Sequence, residues 1–470
     1  MKLEQIYTGC LAQGAYYIES DGEAAIIDPL RETQPYMEKA ADRSAQIKYI
    51  FETHFHADFV SGHLDLAQKT GAKIVFGPNA TTEYDKHEAT DGEEFKLGKL
   101  IIKVLHTPGH TMESSCYLLL DENKEPHALF SGDTLFIGDV GRPDLAQGAT
   151  GMTTEDLAGT LFDSLRHKIM PLPDKVLVYP AHGAGSACGK NMSSQTWDTL
   201  GNQKATNYAL RADMTRDQFI AEVTDGILPP PGYFAANVKM NKAGYQSIDK
   251  VLKRGKVALD AATFEAIANH EGALVLDTRS EHEFVEAHVP NSIFIGIDGN
   301  FAPWVGAMIP DLSQPIVFLA EEGREEEVVT RLSRVGYDNT LGYLKGGIQA
   351  WKDAEKDTEV IPTISAQELA DKINEGETHV LDVRKKSEFE AEHIDGAKNL
   401  PLDYINENFK EVDPEQELYV HCAGGYRSVI YASILKARGY HKLINVAGGF
   451  KAIAETDIST SEFVCPNSGK

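Results

Sequence analysis

Cysteine, positive charge and long apolar runs are all scarce in this 470-residue sequence. The cysteines (Cys10, Cys116, Cys188, Cys422 and Cys465) are scattered and odd in number. That argues against a disulfide framework, so each thiol has to be read as packing or as chemistry. Only 45 Lys+Arg stand against 71 Asp+Glu, a formal charge of -26, which excludes a general nucleic-acid or anionic-membrane binder. No apolar run is long enough to span a bilayer, and the start "MKLEQIYTGCLAQGAYYIES" lacks a signal peptide's apolar block. The expectation is a cytoplasmic enzyme with no membrane or nucleic-acid partner. The chain is also too long for one hydrophobic core, so two to four domains are expected.

An internal repeat organises the second half. "VLDTRSEHEFVEAHVPNSIFI" from Val275 returns as "VLDVRKKSEFEAEHIDGAKNL" from Val380, and "GYDNTLGYLKGGIQAW" returns as "GYHKLINVAGGFKAI". Each copy alternates short apolar strands with helical stretches, the pattern of a parallel sheet with helices on both faces. The first half has strand-like runs with histidines and aspartates just past their ends. Between the halves, "GILPPPGYFAANVKMNKAGYQ" has three consecutive prolines and little periodicity, which predicts an extended connector. The expected divisions are 1–225, a connector at 226–256, the two copies at 257–358 and 359–458, and a tail at 459–470.

In the first half, His54 and His56 lie in "THFHADFVSGH", His110 in "HTPGHT", Asp133 in "FSGDTLF" and His182 in "YPAHG". Any one of them alone would read as a cap or a surface residue. Five in this order, on separate strand-end loops, can converge on one cation. The H-x-H-x-D stretch with the later "HTPGHT", "SGDTLF" and His182 resembles the metallo-β-lactamase superfamily over roughly the first two hundred residues. In the two-metal hydrolases of that superfamily, the second cation needs the motif aspartate, here Asp58, and a histidine after it. This chain has Phe59 there, and a phenyl ring offers no lone pair, so the second site is expected to be empty. One metal held by two imidazoles and a carboxylate suits non-haem Fe(II), one per chain.

The resemblance to the single-iron persulfide dioxygenases of the superfamily implies His54, His110 and Asp133 as iron ligands. It leaves His56, Asp58 and His182 to orient them or to bond iron-bound water. "GDVGRPDLAQG" (138–148) also resembles those dioxygenases more than the glyoxalase II hydrolases, and Arg142 and Asp144 within it are expected to form an ion pair bracing the site. Cys188, six residues after His182, reads either as a small apolar residue on a glycine-rich loop or as a thiol relaying persulfide sulfur at the pocket mouth.

In the last copy the strand "ELYVHC" delivers Cys422 into "CAGGYRS", followed by a helical run. A cysteine at a helix amino end, in a loop of backbone N–H groups (Ala423, Gly424, Gly425, Tyr426, Ser428), has its thiolate favoured. Arg427 adds a cation and a fork of donors for an anionic sulfur acceptor. This copy resembles rhodanese, and four residues between Cys422 and Arg427 is the sulfur-handling spacing; the related phosphatases have a wider loop. The middle copy has Ala320 and Glu325 at these positions, in the acidic "LAEEGREEE", and should be inert in sulfur transfer. Cys10, Cys116 and Cys465 are assigned to packing or, for Cys465, to an exposed tail.

The expected fold is therefore multidomain α/β: a metallo-β-lactamase αββα sandwich followed by two rhodanese-like parallel α/β domains. The combination resembles fused persulfide dioxygenase/rhodanese enzymes, which implies a thiol persulfide, O₂ and sulfite as small-molecule partners. The alternatives are a glyoxalase II-like zinc thioesterase, opposed by Phe59; a non-catalytic persulfide-responsive scaffold, opposed by the Cys422 loop; and a rhodanese whose metal domain only binds thiols. The thiol, the direction of sulfur flow, the role of Cys188 and the existence of a homo-oligomer are left open.

Overall fold

The computed structural model describes residues 1–147, 151–376 and 378–464, so Gly148 and Cys465 lie outside the described residues. The chain divides into two compact units, Met1–Lys250 with Ser333–Gly336, and Val251–Leu332 with Tyr337–Lys470.

The first unit contains two six-stranded sheets. One runs in the order β1 (Lys2–Thr8), β2 (Gln13–Ser20), β3 (Glu23–Ile27), β4 (Gln46–Phe51), β5 (Lys73–Phe76), β6 (His87–Glu88). The other runs from the edge strand β12 (Asp198–Thr199) through β11 (Leu177–Pro180), β10 (Pro126–Gly132), β9 (Ser115–Leu120) and β8 (Leu100–His106) to β7 (Glu94–Leu97). Side-chain alternation decides the layering. Ala25 and Ile27 join Phe51, Tyr117 and Phe130 between the sheets, while Ala24 and Ile26 point outward onto Tyr36 and Leu66 of helices. On the far side, Cys116, Leu118 and Leu120 meet Ala158, Leu161 and Phe219. This is an αββα sandwich. Cys116 is packing here: burial pushes its thiol up to about 11.

The segment expected as an extended connector is a correction. After its prolines it forms two helices, Phe234–Ala243 and Ile248–Gly255. The weak apolar periodicity misled because the first of these buries Asn237 and Asn241 along with Phe234.

The second unit holds two five-stranded sheets of identical order. In the first, β13 (Ala258–Leu259), β17 (Thr340–Leu344), β16 (Ile316–Leu319), β14 (Leu274–Asp277) and β15 (Ile293–Phe294) are neighbours. In the second the order is β18 (Thr363–Ile364), β22 (Leu443–Val446), β21 (Leu418–His421), β19 (Val380–Asp382), β20 (Lys398–Asn399). All neighbours in both are parallel.

The repeated "LDxR" and "EF…H" are structural. Arg279 grips Asp277 and the Ala287 carbonyl (Nη2 contacts of 2.6 and 2.9 Å), as Arg384 grips Asp382 and the Glu392 carbonyl (2.6 and 2.8 Å). His288 and His393 each stack on the phenylalanine four residues earlier and donate Nδ1–H to its carbonyl. These ties join the strand end to the following helix, so both copies keep them whether or not they have a nucleophile. Among the described residues, no helix is long and apolar enough to cross a membrane.

Candidate functional site

Every donor of the first unit lies just past the carboxyl end of a strand: Asp28 after β3, His54 after β4, His110 after β8, Asp133 after β10 and His182 after β11. The structure brings His54, His110 and Asp133 together, with one donor atom from each within 4.8 Å of the others, all three buried. Asp133 Oδ2 lies 3.8 Å from His54 Nε2 and 3.5 Å from His110 Nε2, and has no hydrogen-bond partner. A buried carboxylate oxygen without a donor is costly unless a cation satisfies it.

Both imidazoles present a bare Nε2. His110 Nδ1–H donates to the Arg142 carbonyl at 2.8 Å. Thr53 spends its hydroxyl proton on Asp28 Oδ2 (2.9 Å), so it can only accept from His54 Nδ1–H (3.0 Å). Burial and the neighbouring His56 hold His54 well below the ordinary histidine range. Burial alone would raise the Asp133 carboxyl, but His182, His54 and His110 keep it far below the usual carboxylate range. Two imidazole nitrogens and one carboxylate oxygen converge, which fits a single divalent cation. Gly141 is packed against this cluster, where a Cβ would meet the Asp133 carbonyl and lie 3.0 Å from His110 Nδ1.

His56, Asp58 and His182 form a second buried group of donors. Within it His182 is clamped, Nδ1 2.8 Å from Asp133 Oδ1 and Nε2 2.8 Å from Asp58 Oδ2. Burial opposes its charge, but the two carboxylates raise it well above the ordinary value. His56 turns Nε2 toward Asp28, 3.1 Å away, and its ring stacks on Phe59 at 4.2 Å. Arg142 meets Asp144 in a bidentate pair, 2.7 Å on both arms, and donates to the Ala187 and Leu228 carbonyls. Cys188 is buried beside Asp133 and His182, and burial together with Asp58 and Asp133 pushes its thiol well up, so it rests as a neutral thiol.

In the second unit, Cys422 directly follows β21 and the helix Tyr426–Ala437 starts four residues later. Gly425, at φ +116°, turns its N–H onto Cys422 Sγ at 3.1 Å. Ser428 Oγ lies 2.8 Å from both the Gly425 carbonyl and Asn445 Oδ1, bracing the turn from inside. Arg427, the cation expected beside this loop, is held by a carboxylate. Its Nη1 and Nη2 are paired with Glu388 at 2.6 and 2.8 Å, which lifts the arginine and, against the effect of burial, lowers the glutamate. The loop therefore offers donors with little net charge. In the middle copy the equivalent strand, β16, ends beside Ala320, and Arg324 is paired with Asp298 at 2.8 and 2.9 Å and with Glu327 at 2.9 Å.

Comparison with known proteins agrees with this layout. Residues 8–182 match the metallo-beta-lactamase superfamily, and residues 260–354 and 365–456 each match the rhodanese-like domain. The crystal structure of a metallo-beta-lactamase from Staphylococcus aureus subsp. aureus COL is 33% identical, covering 73% of this chain and 98% of that one with a TM-score of 0.63. The probable hydroxyacylglutathione hydrolase glo2 of Schizosaccharomyces pombe is 31% identical over 199 residues, 42% of this chain and 72% of the relative. The chain belongs to the metallo-beta-lactamase superfamily. Two rhodanese-like domains follow its metallo-beta-lactamase domain. Human mitochondrial persulfide dioxygenase ETHE1 is 32% identical over 162 residues, 34% of this chain and 59% of the relative. Dioxygenase and hydrolase relatives are thus about equally similar, and the choice between the chemistries falls to the residues of the site.

The metallo-beta-lactamase domain also uses a residue that sequence reasoning missed. Asn241 is buried, donates Nδ2–H to the carbonyls of His56 and Phe59 (2.9 Å each) and accepts the Ser61 N–H at 2.9 Å. One side chain thus satisfies three backbone groups of the loop that carries His56 and Asp58. Glu52 adds a buried brace, taking Ser61 Oγ–H at 3.0 Å and lying 3.1 Å from His63 Nδ1. We expect Asn241→Ala to lower stability by about 3 kcal/mol, since each orphaned buried group costs roughly 1–3 kcal/mol. Metal affinity should drop about 10- to 100-fold, as for loss of other supporting contacts. Thermal unfolding and metal content of the purified variant check both.

Proposed function

We propose that the chain oxidises a low-molecular-weight thiol persulfide with O₂ at a mononuclear Fe(II) site and transfers sulfane sulfur through Cys422 to sulfite. Phe59 carries the reading: a buried ring stacked on His56 stands where the second cation of the two-metal hydrolases needs an imidazole. In this reading His54, His110 and Asp133 hold the iron, which supplies, when bound, the open positions and the electrons that let a persulfide and O₂ react. His182 holds Asp133 and Asp58 in place, and Arg142 fixes His110 through its carbonyl. The balance is RSSH + O₂ + H₂O giving RSH, sulfite and two protons. Cys188, buried against Asp133 and His182, is placed to contact the persulfide.

At the second site the Cys422 thiolate attacks the outer sulfur of a persulfide, the S–S bond breaks, and the thiolate RS⁻ leaves with the bonding pair. The sulfite sulfur lone pair then attacks the outer sulfur of the Cys422 persulfide, releasing thiosulfate and restoring the thiolate. Gly425 N–H holds Sγ, and Arg427, kept rigid by Glu388, orients the acceptor. Anaerobic purification with metal analysis, followed by O₂ uptake on a synthetic thiol persulfide, tests the reading. One iron per chain and sulfite or thiosulfate as product are expected, whereas two tightly bound zinc ions with thioester hydrolysis would overturn it.

Phe59→His tests the carrying observation directly. It places an imidazole beside Asp58 and His182, already set by the fold, so little site assembly remains to be done. A second metal per chain should appear on zinc loading, with O₂ uptake falling as it fills. If elemental analysis still finds one metal, the clamp of His182 between Asp133 and Asp58, and not the missing imidazole, keeps the site mononuclear.

A further inference from the structure

We propose that the middle rhodanese-like copy, which has no nucleophile, holds the Cys422 loop in its working shape by seating Tyr426, with Gly296 and Gly299 as positioning residues for sulfur transfer. The inference rests on Cys422 being the sulfur-transferring nucleophile.

Tyr426 follows Gly425, the residue whose N–H reaches Cys422 Sγ, and it is the first residue of the helix Tyr426–Ala437. Its hydroxyl donates to the Gly296 carbonyl at 2.6 Å, and its ring meets Phe294 edge-on at 5.6 Å. A Cβ on Gly296 would lie 3.1 Å from Tyr426 Cε2. The three atoms nearest a Cβ on Gly299 would all belong to Tyr426, inside its van der Waals surface. The seat therefore needs both glycines. Seven residues further along, two turns and so on the same face, Ser433 Oγ accepts the Phe294 N–H at 2.9 Å. The helix that aims Gly425 and Arg427 is thus tied to the middle copy at two points.

The middle copy keeps that seat stiff by itself. Ile295 and Ile297 donate N–H to the Asp277 and Thr278 carbonyls at 3.0 Å, Gly299 N–H reaches the Gly296 carbonyl at 3.3 Å, and Arg331 holds the Ile297 carbonyl at 2.7 Å. Arg324, the counterpart of Tyr426 in the repeat, grips Asp298 between the two isoleucine ties and Gly299. The acidic loop that replaced the nucleophile loop therefore serves as a brace for its neighbour.

The test is a double-mutant cycle in the full-length protein. Gly299→Ala should cut thiosulfate formation from persulfide and sulfite by about 10- to 100-fold, the effect of a misplacement near 1 Å. Carbamidomethylation of Cys422, read by mass spectrometry of its peptide, should slow in parallel, while O₂ uptake stays within twofold of the parent protein. Tyr426→Phe, which keeps the ring, should retain most transfer, and Tyr426→Ala should lose it. Adding Gly299→Ala to Tyr426→Ala should cost nothing further, because the new methyl has no ring to displace. Equal losses from Gly299→Ala in both backgrounds would mean it only destabilises the middle copy, and unchanged transfer in Gly299→Ala would remove the seat altogether; either overturns the inference. Failure of the Cys422 reading itself shows separately, as a Cys422→Ser protein that still transfers sulfur.

Discussion

Asp133→Ala is expected to abolish both iron retention and O₂ uptake while leaving sulfur transfer by Cys422 intact. Asp133 is the only anionic member of the His54, His110, Asp133 group, and its Oδ2 is the buried oxygen with no protein donor. Its other oxygen holds His182 Nδ1 at 2.8 Å, so truncation removes the proposed ligand and frees a raised histidine in one step. Losing a supporting contact typically costs 10- to 100-fold in metal affinity, and loss of the anionic ligand itself should exceed about 100-fold. Asp133→Asn separates the two roles, since the amide keeps an oxygen for His182 Nδ1–H but has no charge for the cation. Iron content by elemental analysis, O₂ uptake, and thiosulfate formation from added sulfite and persulfide are the three measurements. Full iron occupancy in Asp133→Ala would mean that the ligand set is wrong.

Cys422→Ser is expected to do the reverse. Removing the nucleophile should lower sulfur transfer by at least about three orders of magnitude, as for other covalent catalysts. The change of Sγ to Oγ leaves Gly425 N–H and Ser428 in place, so the fold should persist. Iron content and O₂ consumption should be unchanged, and the product of persulfide oxidation should shift from thiosulfate to sulfite. Loss of O₂ uptake in this variant would mean that Cys422 feeds the oxidation and that the two sites are not separable. Ala320→Cys alone should revive nothing in the middle copy: Glu325 stands where Arg427 would, and Arg324 is committed to Asp298 and Glu327.

Much of this was legible in the sequence, for reasons that differ between residues. The two copies could be aligned because "LDxR" and "EF…H" are each a local buried tie, two to eight residues long, and local ties leave a local signature. The residues His54, His110, Asp133 and His182 were readable because each sits within about four residues of the end of an apolar strand. The loop of Cys422 was readable because nucleophile, glycines and helix start are contiguous. The connector was misread for the opposite reason. Its first helix buries asparagines as well as a phenylalanine, so hydropathy alone gave no 3.6-residue stripe.

By itself, then, the sequence determined the sandwich of the first unit and the repeat of the second, the order of the histidines and aspartates past the strand ends, and the absence of an imidazole at Phe59, because strand periodicity and lone pairs are properties of single residues and their near neighbours. Only the tertiary structure decided that Asn241 carries the His56–Ser61 loop from 182 residues beyond Phe59, and that Glu388 answers the charge of Arg427. It alone decided that the middle copy seats Tyr426 from 130 residues upstream. A hydrogen bond between distant segments is set by how sheets and helices stack, and an asparagine or a glycine in a chain does not show which backbone it will meet.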